Sequence, residues 1–216
     1  MAVLEELREA VLTGDKDRAV EVTRLGLETS IDPQALIDDA MIPAMDEVGR
    51  RFEEEEYFVP ELLLSARAMK AALELIRPLL ADTGASSRGC IVIGTVKGDL
   101  HDIGKNLVSA MFEGAGFEVV DLGSDVSPEA FVAAAREKSA DLVGLSALLT
   151  VTMPSMKSTI EALEAAGLRD RVKVLVGGAP LSTDYAVEIK ADAYAPNATA
   201  AVRAAQELVG GRAPCR

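Results

Sequence analysis

Cys90-Ile91-Val92-Ile93-Gly94-Thr95-Val96-Lys97-Gly98-Asp99-Leu100-His101-Asp102-Ile103-Gly104-Lys105-Asn106 passes from an aliphatic, β-branched run, through a glycine-bearing polar loop, into an apolar-striped helical segment. The alternation recurs downstream. Phe117-Glu118-Val119-Val120, Leu142-Val143-Gly144-Leu145 and Val172-Lys173-Val174-Leu175-Val176 read as strands, with a short fifth at Ala193-Tyr194. Helices are predicted over 103–115, 128–138, 153–166, 181–190 and 198–209. Short strands alternating with helices at this spacing give an α/β fold with a doubly wound parallel sheet. Ligands of such sheets sit beyond the carboxyl ends of the strands, so the loops after strands one, three and four are the places for chemistry.

Working back from this segment, residues 1–81 carry helical periodicity and almost no strand signal. Leu4, Leu7 and Val11 mark one helix, and Ala19, Val22 and Leu27 mark a second after a Thr13-Gly14-Asp15 break. Asp32 as N-cap and Pro33 at the first helical position start a third, striped by Leu36 through Val48 and weakened at Gly49. A fourth runs from Pro60 through Leu80. Four such helices suggest a bundle. Asp82-Thr83-Gly84-Ala85-Ser86-Ser87 has the composition of a linker. The expected organisation is a helical domain over 1–84 and a sheet domain over 88–211, with the linker as a hinge.

The 216 residues suit one large domain or two small ones. A formal net charge of −13 repels phosphate backbones, which argues against nucleic acid as a partner. Cys90 and Cys215 form neither a disulfide framework nor a CxxC site, and His101 is the single histidine, which excludes polyhistidine zinc sites. The acidic Met1-Ala2-Val3-Leu4-Glu5-Glu6 is unlike a signal peptide, and Leu142–Val151 is too short to span a bilayer, so a cytoplasmic protein without membrane attachment is expected.

In the loop after the first strand, Gly98 and Gly104 stand one position too far apart for GxxxxGK[ST], and Asn106 replaces the final Ser/Thr. GxGxxG is absent as well. The distinctive feature is His101 with Asp99 two residues before it. A metal-ligating imidazole commonly donates its other N–H to a carboxylate. With no second histidine and no nearby cysteine, the other ligands would come with a cofactor, such as a corrin or haem macrocycle with an open axial position. The bland reading is a structural histidine. Gly144-Leu145-Ser146-Ala147-Leu148-Leu149-Thr150-Val151-Thr152 and Gly177-Gly178-Ala179-Pro180 end strands three and four in small or hydroxylated residues. They could line a slot or be ordinary turns.

Asp99-x-His101-x-x-Gly104, then Ser146-x-Leu148, then Gly177-Gly178 resembles, in order and spacing, the vitamin B12-binding module of corrinoid proteins. Val48-Gly49-Arg50-Arg51-Phe52 and Tyr57-Phe58-Val59-Pro60-Glu61-Leu62-Leu63 resemble the helical cap of methionine synthase and its relatives. Together the resemblance covers nearly the whole chain, as a four-helix cap followed by a Rossmann-like, five-stranded cobalamin-binding domain. It implies that His101 is the lower cobalt ligand, that Asp99 bonds its imidazole, and that Thr152, at a position usually serine, extends the relay. Ser146 and Thr150 match positions that contact the displaced nucleotide tail, Gly177 and Gly178 line its slot, Asn197-Ala198 lies at a further contact position, and Gly104 and Leu148 are cofactor-binding positions of the motif. Phe52 and Val59 align with residues shielding the methyl group; Val59 replaces the usual leucine, and Val151 stands where threonine is frequent.

The resemblance further implies a corrinoid subunit that shuttles a methyl group on cobalt, between Co(I) and methyl-Co(III). A substrate:corrinoid methyltransferase would load it, and a methylcorrinoid:acceptor methyltransferase would unload it to a folate or thiol. A reductive activase would restore it, and the subunit would not turn over alone. The donor could be a methylamine, methanol, betaine or an aromatic methyl ether. The competing functions are a B12 sensor, a cobalamin storage protein and a mutase subunit. The sensor's cap uses a tryptophan, which this chain lacks, and the mutase subunit has no helical cap.

Overall fold

In the computed structural model, which describes residues 2–83 and 88–210, the backbone separates into two compact units. One comprises Met1–Ser87 with Ala110–Gly116, and the other Arg88–Ser109 with Phe117–Arg216. Gly84–Ser87, most of the expected hinge, and Cys215 lie outside the described residues.

The helical unit holds α1 (Ala2–Leu12), α2 (Lys16–Glu28), α3 (Pro33–Leu36), α4 (Ile42–Glu53) and α5 (Val59–Thr83). Asp15 and Asp32 cap α2 and α3 by accepting the N–H groups of Arg18 and Gln34. The expected third helix is α3 and α4 joined by a π-helical turn over Ile37–Met41, in which the Ile42 N–H donates to the Ile37 carbonyl. Pro43 is the reason: it cannot donate back to Asp39, and its ring crowds that carbonyl, so the turn widens by one residue. α4 continues past Gly49 to Glu53, with Arg50 and Arg51 paired to Glu47 and Arg50 also to Glu54. One expectation needs correction: the linker does not begin at Asp82, since α5 runs through Thr83. Leu7, Val22, Met41, Val48, Leu62 and Met69 are fully buried in this unit.

From residue 88 on, the chain alternates β1 (Cys90–Thr95), α6 (Ile103–Gly114, whose last turn from Ala110 groups with the helical unit), β2 (Glu118–Asp121), α7 (Pro128–Glu137), β3 (Leu142–Ser146), α8 (Pro154–Ala165), β4 (Lys173–Gly177), α9 (Thr183–Glu188), β5 (Ala193–Ala195) and α10 (Ala198–Gly210). The strands form one parallel sheet in the order β2-β1-β3-β4-β5. The central strands read as continuous apolar runs because helices cover both faces: β1 is buried along its whole length and β3 up to Ser146. Gly94 in β1 lies beneath the Phe131 ring of α7, where a Cβ would meet ring carbon Cζ at 2.8 Å. That close approach lets Phe131 become fully buried against the sheet.

Phe131→Ala removes a fully buried ring, and we expect a loss of about 3–5 kcal/mol. Denaturant unfolding followed by circular dichroism checks this; an unchanged midpoint contradicts the packing described.

Candidate functional site

The chain winds from β1 outward to β2, then returns past β1 to β3, β4 and β5. At this reversal the loops after β1 and β3 diverge and leave a crevice. Thr95 pairs with Ser146 at the end of the β1–β3 register, and the Val96 N–H donates to the Ser146 carbonyl at 3.0 Å. The two loops therefore leave the sheet side by side.

Asp99 sits between them, 0% exposed. Its Oδ1 accepts the His101 backbone N–H at 3.0 Å and faces His101 Nδ1 at 2.8 Å. Its Oδ2 accepts from Leu148 N–H at 2.8 Å, Leu149 N–H at 3.2 Å and the Thr152 hydroxyl at 2.7 Å. Burial pushes the carboxyl up, but the bonds from His101, Thr152 and Leu148 outweigh it and hold Asp99 well below the usual carboxylate range. An ionised carboxylate only accepts, so Nδ1 of His101 carries the proton and, in the neutral ring, the lone pair is on Nε2. Half of the His101 side chain, 51%, is exposed. The arrangement is a fixed tautomer offered to a ligand.

The surroundings of that imidazole suit a large, flat, mainly apolar group. Leu100, Ile103 and Val151 are 71%, 86% and 81% exposed, and Leu148 and Leu149 are also partly open, all on the two adjoining loops or the start of α6. Apolar side chains presented to water around one polar group mark a binding platform. At Gly104 a Cβ would meet nothing within 4 Å, so the helix start leaves open space above it. Among the described residues, no three His, Cys, Asp or Glu side chains cluster to hold a metal ion. A metal that meets His101 must bring its other ligands, as a macrocyclic cofactor does.

The remaining candidates divide between the units. Thr152 is buried in the turn before α8, its hydroxyl shared between Asp99 and the Leu149 carbonyl at 2.8 Å. Ser146 ends β3, Thr150 is exposed in the same turn, and Gly177 ends β4. Gly178 takes φ +138°, and a Cβ there would lie 1.9 Å from the Ala147 carbonyl oxygen, so only glycine lets the two loops approach. Ala198 is buried at the start of α10, where Asn197 accepts the Ala200 N–H at 2.8 Å. Phe52 and Val59 belong to the helical unit, Phe52 half-buried in α4 and Val59 at the exposed start of α5. Sequence reasoning missed the Leu148 and Leu149 N–H donors, because backbone groups carry no residue signature. The Ser155 hydroxyl, which donates to the Lys97 carbonyl at 3.0 Å, was missed too.

A B12 binding domain family matches residues 89–205, and a second B12 binding domain family matches residues 3–77. The chain belongs to the B12-binding corrinoid proteins. A corrinoid protein of Desulfitobacterium hafniense is 44% identical over 213 residues, 97% of this chain and 99% of its own length. Dimethylamine corrinoid protein 1 of Methanosarcina acetivorans is 45% identical over 208 residues, 96% of this chain and 97% of its own. Among solved structures, a chain of the methanol:cobalamin methyltransferase complex of Methanosarcina barkeri superimposes with a TM-score of 0.84 at 30% identity. That match covers 98% of this chain and 81% of the other. The cap plus Rossmann-like architecture of this corrinoid protein is thus that of its family. Among the described residues, no helix is long and apolar enough to cross a membrane.

The depressed Asp99 carboxyl has a consequence for stability. Its contribution is complete above the unfolded carboxylate value of about 3.9 and is lost as the pH falls toward the lower folded value. Asp99→Asn turns an amide N–H₂ onto donors, and a cost of about 2 kcal/mol or more is expected at pH 7. Denaturation of both proteins from pH 7 to pH 2 should show the gap narrowing in acid; a gap independent of pH contradicts an ionised Asp99.

Proposed function

We propose that this corrinoid protein is the methyl-carrying subunit of a multi-component methyltransferase. A substrate:corrinoid methyltransferase loads it, and a methylcorrinoid:acceptor methyltransferase passes the methyl group to a folate or thiol. The observation that carries this reading is the exposed imidazole of His101, its tautomer set by a buried, ionised Asp99. Support for a methylamine or methanol donor comes from the relatives, which include dimethylamine corrinoid proteins and a chain of a methanol:cobalamin methyltransferase complex.

When bound, the corrinoid supplies a cobalt centre able to accept and release a methyl group. This chain's residues make that centre usable. His101 Nε2 would hold the cobalt, while Asp99 keeps the proton on Nδ1 and so leaves the Nε2 lone pair free for the metal. The Thr152 hydroxyl steadies the second Asp99 oxygen. Ser146 and Thr150 would bond the nucleotide tail through their hydroxyls, Gly177 and Gly178 would give its slot width, and Leu148 and Ala198 would contact the cofactor. Gly104 leaves clearance beside His101. Residues 1–84 would serve as the cap and 88–211 as the binding module, with Phe52 and Val59 as the cap's candidate shielding residues. A reductive activase completes the set of partners, and the system works in the cytoplasm.

The test is anaerobic reconstitution with methylcobalamin, followed by ultraviolet–visible spectra of wild type and His101→Ala. One-to-one binding with a histidine-ligated spectrum that the folded variant loses is the expected result. Methylation of the wild type by a dimethylamine- or methanol-specific methyltransferase should follow. An identical spectrum in the variant would overturn the assignment of His101.

A further inference from the structure

Thr152 has no strand or helix of its own. It lies in the irregular turn between β3 and α8, and a turn holds a hydroxyl within 2.7 Å of a buried carboxylate only if it is itself held. Beyond Asp99, two side chains reach it. From α9, Tyr185 donates its hydroxyl to the Met153 carbonyl at 2.7 Å, one residue past Thr152. From the first turn of α8, Ser155 donates to the Lys97 carbonyl at 3.0 Å, joining this turn to the loop that carries Asp99. Tyr185 is well placed for this. Ser182 caps α9 by accepting the Tyr185 N–H at 3.2 Å, and the Tyr185 and Met153 side chains both pack against the apolar core. Burial and the nearby Glu188 raise the phenol above its ordinary value, so it stays a donor through neutral pH.

We infer that Tyr185, assisted by Ser155, is a positioning residue that clamps the Thr152 turn and thereby keeps Asp99 saturated and the His101 tautomer fixed. The chain of contacts is continuous: Tyr185 Oη to Met153 O, Thr152 Oγ1 to Asp99 Oδ2, and Asp99 Oδ1 to His101 Nδ1. Without the tyrosine hydroxyl the turn loses its side-chain hold at Met153 and keeps there its backbone bonds, from Thr152 N–H to the Leu149 carbonyl at 3.0 Å and from Met156 N–H to the Met153 carbonyl at 2.9 Å. Thr152 then satisfies the Leu149 carbonyl, its other acceptor at 2.8 Å, and Asp99 is left with fewer donors. The link to ligand control rests on the reading of His101 as the cobalt ligand, whereas the effect on the imidazole does not need a bound corrinoid.

Because the chain has one histidine, nitrogen-15 labelling of histidine gives only the Nδ1 and Nε2 signals of one ring, free of overlap. In the corrinoid-free protein, the His101 Nδ1–H proton should be observable and protected from exchange with water. Tyr185→Phe keeps the ring packing and removes only the hydroxyl; Ser155→Ala cuts the other clamp. Each is expected to speed that exchange about five- to tenfold, the effect of one hydrogen bond, while Tyr194→Phe leaves it unchanged. In protein reconstituted with methylcobalamin, Tyr185→Phe should also lower the histidine-ligated fraction at fixed pH. Exchange and tautomer unchanged in Tyr185→Phe and in Ser155→Ala, even with a lowered unfolding midpoint, would make both residues merely structural and overturn the inference. The His101→Ala spectrum remains a separate test of the ligand itself.

Discussion

The Asp99 carboxylate is the constraint on which the site depends. It is buried without a cationic partner of fixed charge, a position that is costly unless every oxygen lone pair finds a donor. The chain meets this demand from two loops. The His101 backbone N–H and ring nitrogen come from the loop after β1, and two backbone N–H groups and the Thr152 hydroxyl come from the turn after β3. The loops can share one carboxylate because β1 and β3 are adjacent strands at the reversal of the sheet. The topology of a five-stranded sheet thus becomes the tautomer of one ring.

The same geometry explains why a single histidine suffices. The protein offers one nitrogen and an apolar platform, and among its described residues no three His, Cys, Asp or Glu side chains gather to enclose an ion. Such a site has no use for a bare ion. It suits a metal that arrives already enclosed by a macrocycle, as the B12-binding family of this chain implies. The strict glycine at position 178 works to the same end: it lets the loops after β3 and β4 approach at Ala147 with no side chain between.

Much of this was legible in the sequence. The strands at Cys90, Leu142 and Val172 stand out as aliphatic runs because they are buried on both faces, and their predicted and observed limits differ by one or two residues at most. The Asp99–His101 pairing was legible because a carboxylate two residues before a histidine can reach its ring, and the further spacing to Ser146 and Gly177-Gly178 resembles the B12-binding module. The π-helical turn at Ile37–Met41 was not, since a proline inside a helical stripe signals a local problem without saying how the backbone solves it. α4 continues past Gly49 because Ala44, Met45 and Val48 are buried, and tertiary packing of that face overrides one glycine's local preference. The backbone donors of Leu148 and Leu149 and the reach of Tyr185 are products of tertiary structure, and a residue-type pattern does not encode them.

The central claim, that Asp99 orients His101 so that Nε2 becomes the lower ligand of cobalt, is tested most directly by electron paramagnetic resonance of the protein loaded with cob(II)alamin. The axial nitrogen splits each cobalt line into a triplet when it is nitrogen-14 and a doublet when it is nitrogen-15. With histidine alone labelled, the single histidine of this chain makes the result unambiguous. The account predicts doublets in the labelled protein. Triplets that persist after labelling would mean that the cofactor's own base remains on the metal, and would contradict it.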